Sequence, residues 1–68
     1  MNVDINDNGS AYMITVNGLI VTYFTTLGDA WRHIVWMHRI ATQDFTVGAK
    51  RTPVIDWIEG MTKAGYID

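Results

Sequence analysis

Tyr12-Met13-Ile14-Thr15-Val16-Asn17-Gly18-Leu19-Ile20-Val21-Thr22-Tyr23-Phe24 is the stretch that decides the fold. Two runs rich in β-branched and aromatic residues flank an Asn-Gly pair. Asn and Gly tolerate the positive φ angles that a two-residue hairpin turn needs. Residues 12–16 and 19–25 therefore pair as a β-hairpin. A tight turn sets Val16 opposite Leu19, Ile14 opposite Val21 and Tyr12 opposite Tyr23. Side chains alternate along a strand, so these six predict one apolar face turned to the core. Met13, Thr15, Ile20, Thr22 and Phe24 fall on the other, mixed face.

Upstream, Val3 and Ile5 alternate with Asn2 and Asp4, which predicts a first strand over residues 2–5. The turn-forming run Asn6-Asp7-Asn8-Gly9 joins it to the hairpin. The expected unit is an antiparallel three-stranded meander, or the hairpin alone.

Downstream, Thr26 followed three residues later by Asp29 resembles a capping box with Asp in place of Glu. At 100° per residue, the helix predicted from Leu27 to Thr42 gathers Leu27, Ala30, Trp31, Ile34, Val35 and Ala41 into one apolar stripe, with Met37 at its edge. Asp29, Arg32, His33, Trp36, Arg39 and Ile40 project to the opposite side. A tryptophan and an isoleucine at i,i+4 on the polar side need a cover, supplied either by a second helix or by a partner. Residues 43–51 read as a polar linker. Thr52-Pro53 then resembles an N-cap followed by an N1 proline. The second helix carries its stripe on Val54, Trp57, Ile58 and Met61, with Ile55 at one edge. Gly65 suits the position just past its end, from which Tyr66 and Ile67 fold back. The expected fold is α+β, of order β-β-β-α-α, with both helices packed on one face of the meander in a single small domain spanning residues 1–68.

Composition bounds the function. The 68 residues are 49% hydrophobic, with three Trp, three Tyr and two Phe, which is enough apolar matter for a core without staples. There is no cysteine, hence no disulfide framework and no thiolate metal site. Five Lys and Arg stand against seven Asp and Glu, for a net charge of −2, so the basic surplus of a phosphate-binding protein is missing. No basic segment precedes a long apolar run, and the longest runs, such as Ile34-Val35-Trp36-Met37, are far too short to span a bilayer. The expectation is a complete small reading frame without leader or membrane span, located in the cytoplasm.

Motifs that carry chemistry are sparse. Asp4-Ile5-Asn6-Asp7-Asn8-Gly9 matches the first half of a calcium-binding EF-hand loop, but the twelfth position is Thr15 where a bidentate Glu belongs. It reads as an Asx-rich turn, with no metal or cofactor expected. His33 shares a helix face with Asp29, but no third ligand has an evident place. His38 projects close to the middle of the apolar stripe and reads as a boundary histidine. Ser10 is the only serine and stands in no nucleophile pattern. The chain is expected not to be an enzyme.

Protein binding fits better, because interface centres are enriched in Trp, Tyr and Arg. Arg32, Trp36, Arg39 and Ile40 on the first helix form the expected partner-binding face. Met13, Ile20 and Phe24 on the outer hairpin face form a second candidate surface. The expected partner is a larger protein or protein complex. A homodimer is a further expectation, since a second copy would bury what one short chain leaves exposed. The alternative is a small nucleic-acid-binding regulator of degenerate winged-helix type, using Arg32, Arg39, Lys50 and Arg51, although Asp56 and Glu59 on its would-be recognition helix repel phosphate. In size and style, as a short, cysteine-free, mildly acidic chain of this element order, the protein resembles small accessory proteins of bacteriophages. Some of these inhibit host enzymes or defence complexes, CRISPR effectors among them. That resemblance implies an anti-defence inhibitor acting in the host cytoplasm, and it carries no binding residue across.

Overall fold

The computed structural model describes residues 1–41 and 43–67. The chain runs β1 (Asn2–Asp7), β2 (Tyr12–Val16), β3 (Leu19–Phe24), α1 (Leu27–Ile40), β4 (Thr46–Val47), β5 (Thr52–Pro53) and α2 (Val54–Lys63). The strands form one sheet of order β3-β2-β1-β4-β5. Only β1 and β4 run parallel. The meander is therefore present, with β1 longer than residues 2–5. The order is not β-β-β-α-α, because a short hairpin separates the helices.

The Asn17-Gly18 turn forms as its residue types require, with φ of 51° and 86°. Val16 lies opposite Leu19, but the pairing then departs from the simple alternation. Thr15 faces Ile20 and Ile14 faces Thr22, so Val21 is an extra residue, a β-bulge. Beyond it the pleat of β3 is inverted. Phe24, opposite Tyr12, joins the helix-covered side, and Tyr23, opposite Met13, turns to the open side. One inserted residue reassigns every later side chain of a strand to the other face.

The segment expected as a polar linker supplies the next correction. Phe45 and Val47 are buried, and Thr46–Val47 pairs with Asn2 and Val3. Thr52-Pro53 is not a helix cap but the return strand, with Thr46 opposite Pro53. Pro53 occupies the N-cap position of α2 without a side-chain cap. Helix α1 thus carries the chain from the β3 edge back across the sheet, so that β4 can dock beside β1.

Helix α1 begins as predicted: the Asp29 N–H donates to the Thr26 hydroxyl at 3.3 Å. It ends at Ile40, with Ala41 as C-cap; the Thr42 end of the sequence expectation lies outside the described residues. Helix α2 closes on a Schellman motif. Gly65 has φ +83°, its N–H donates to the Thr62 carbonyl, and the Tyr66 N–H donates to the Met61 carbonyl. The fold-back places Tyr66 edge-on to Trp31, ring centroids 5.1 Å apart.

Both helices contribute to one core on the same side of the sheet. Val3, Ile14 and Val47 from the strands meet Ala30 and Ile34 of α1, Phe45, and Val54 of α2. Ile5, Tyr12, Val16, Phe24, Met37, Trp57 and Ile58 pack around them. Burying each of the largest, Ile14 and Ile34, contributes about 1.5–3 kcal/mol. Helix α1 lies over β2 and β3, while α2 lies over β4 and β5. No helix among the described residues is long and apolar enough to cross a membrane.

Candidate functional site

Because the two helices cover different halves of the sheet, α2 does not roof the outer side of α1. Trp36 is 52% exposed and Ile40 is 59% exposed. Arg32 and Arg39 are exposed beside them. All four residues expected to bind a partner thus emerge on one side of α1. The second helix, one of the two covers that the sequence offered for Trp36, does not cover it.

The face has its own relief. Arg32, Val35, Trp36 and Arg39 line a hollow of about 270 Å³ together with Ile67. Trp36 stacks on His33, with centroids 5.3 Å apart and planes 29° apart. His33 in turn leans on Phe24, 5.1 Å away. A ladder Trp36–His33–Phe24 therefore ties the outer side of α1 to the sheet edge and limits how far the indole can swing. Burial lowers the pKa of His33 below its ordinary 6.5 by disfavouring the imidazolium. Asp29 does not pair with His33. It takes Arg32 instead, at 3.0 Å, in an exposed i,i+3 ion pair. That pair leaves the guanidinium accessible and contributes little to stability.

The second candidate surface is only partly assembled. Met13 is half-buried and Ile20 is exposed on the open side of the sheet, but Phe24 is not with them. The bulge at Val21 puts Tyr23, 66% exposed, in its place. Tyr23 and Ile67 are the surface residues that sequence reasoning missed. The fold-back of Ile67 was readable from Gly65; the exchange of Tyr23 for Phe24 had no signal, since residues 19–24 are apolar on both sides of the pleat and no alternation marks the bulge.

Lys50 and Arg51 lie in the β4–β5 turn, where Arg51 has φ +53°, on a different element from Arg32 and Arg39. The helix–linker–helix that a winged-helix reading needs is interrupted by that hairpin. The half EF-hand motif is spent on the strand and its turn. Asp4 and Asn6 lie in β1, the Asp7 carboxylate accepts from Gly9 N–H, and the Asn8 side-chain oxygen accepts from Ser10 and Ala11 N–H. His38 sits half-buried, with its ring edge toward Phe45.

A further hollow, of about 720 Å³, lies elsewhere, between Met1, Asn17, Asp44, Arg51 and Pro53. Asn2 and Thr46 on its wall bond to each other at 2.6 Å, and the Asn2 amide reaches the Gly48 carbonyl. These polar groups are occupied in joining β1 to β4 and the turn that follows it. Comparison with protein-family models, curated proteins and solved structures returns no match.

Proposed function

We propose that the chain is a small non-catalytic module that binds a larger protein or protein complex through the outer side of α1. The observation that carries this is Trp36. An indole half open to water, stacked from one side on His33 and flanked by Arg32, Arg39 and Ile40, has the composition of an interface centre. Leaving such a group exposed is unfavourable, and a partner with an apolar knob for the hollow and acidic groups for the two arginines relieves it. The action inferred is occlusion: the module covers a surface that its target needs, as a phage-type inhibitor of a host protein or defence complex does.

The test is affinity capture from a bacterial lysate with the native chain and with Trp36→Ala. A stoichiometric protein retained by the first and lost by the second, with both chains giving the same circular dichroism and melting temperature, supports the proposal. Recovery of nucleic acid without protein, reduced by substituting Lys50 and Arg51, supports the winged-helix alternative instead.

A further inference from the structure

The two edges of the sheet are built differently. At one edge, β5 is two residues long and contains Pro53, which has no N–H to offer. At the other, β3 is six residues long, Leu19-Ile20-Val21-Thr22-Tyr23-Phe24, with no proline, no glycine and no charge. Leu19 is 73% exposed and Ile20 61%. Natural sheets protect edges with charges, proline, short strands or bulges, and of these β3 has only the bulge at Val21.

We infer that β3 is a self-association edge, pairing antiparallel with β3 of a second copy about a two-fold axis between Val21 and Thr22. The occupant follows from the pleat. After the bulge, Leu19, Thr22 and Phe24 belong to the helix side, and Ile20 and Tyr23 to the open side. Antiparallel pairing places residues of the same face opposite each other. An axis through Val21 would set Leu19 against Tyr23, and an axis through Thr22 would set Ile20 against Phe24; both mix the faces. An axis between Val21 and Thr22 sets Leu19 against Phe24 and Ile20 against Tyr23 of the second copy, so that both pairs match in face, with the bulged Val21 and Thr22 at the axis. The strand is its own complement in that register, and the bulge that looks like a defect creates the match. No like charges meet, because the strand has none. The interface is isologous and uses up the β3 edge of both chains, while Pro53 guards the two outer edges, so the assembly stops at two.

The experiment is light scattering with size exclusion at high micromolar concentration. The native chain is expected at twice the 7.7 kDa of one chain. Val21→Lys, which brings two ammonium groups together at the axis, is expected at the mass of one chain with unchanged circular dichroism. Tyr23→Lys serves if that variant does not fold. The double variant Ile20→Cys with Tyr23→Cys is expected to form a disulfide-linked dimer under oxidising conditions, and Ile20→Cys alone is not. A native mass of one chain overturns the inference. So does a dimer that persists in both lysine variants, or one abolished by Trp36→Ala, which would put the contact on α1. The lysate capture reads α1 independently of these masses.

Discussion

Helix α1 carries large apolar side chains on both of its sides, and the two sets meet opposite fates. On the inner side, Ala30 and Ile34 are fully buried, with Met37 packed beside them. On the outer side, Trp36 and Ile40 are more than half exposed although they are as hydrophobic. The difference comes from what lies across from each. The inner side meets the face of β2 and β3, whereas α2, the other candidate cover, is drawn to β4 and β5. A side chain's place in the core depends on the availability of a partner surface and not on its hydrophobicity alone.

That contrast is broken most directly by truncating one residue from each side. Ile34→Ala leaves a cavity where α1 meets the sheet and should cost about 2–5 kcal/mol, a large part of the stability of a chain this short. Chemical denaturation reads it directly. If Ile34→Ala melts like the native chain, the inner side is not the core.

Trp36→Ala should cost less than about 1 kcal/mol in the same denaturation, because the indole loses only its stacking on His33 and its edge of the hollow. The proposed role of the outer side puts its effect in binding, where about 2 kcal/mol or more should be lost. A melting temperature that collapses with this variant would make the outer side structural and remove it as a docking face.

Thr26→Ala tests whether α1 is held by its ends as well as by its sides. Loss of the bond from the Asp29 N–H should cost about 1 kcal/mol, and Thr26→Ser should restore most of it.

The smallest effect expected is a pH dependence that sharpens the contrast at their shared residue. His33 lies between the sides, and its folded pKa is held below the unfolded value. The folded state then binds fewer protons than the unfolded state, so stability rises with pH across this window. The contribution is fully present above about 6.5 and is lost as pH falls through the lower, folded value. The native melting temperature should fall over that range, and His33→Phe should flatten that part of the slope. An equal slope in the variant would assign it to the carboxylates.

The turns and helix ends follow from local chemistry. Asn17-Gly18 demands positive φ and so creates the hairpin; Thr26 caps α1; Gly65 ends α2 and returns Tyr66 to Trp31. That Arg32, Trp36, Arg39 and Ile40 share one side of α1 was legible because helical periodicity is a local property. Three decisions belonged to the tertiary structure. Phe45, Thr46 and Val47 are too few to show a period, and they become a strand only because β1 offers an unpaired edge beside them. Thr52-Pro53 has the residues of a helix start and is used as a strand, since β4 needs a neighbour more than α2 needs a cap. Val21 bulges between Ile20 and Thr22, and the register that results exchanges Tyr23 for Phe24. The sequence by itself determined the turns, the caps and the faces of the helices, each set by residues within a few positions of one another. Which strand edge was free, where the register slipped and whether α2 would cover Trp36 were decided by groups far apart in the chain competing for the same surface, and that competition exists only once the sheet has assembled.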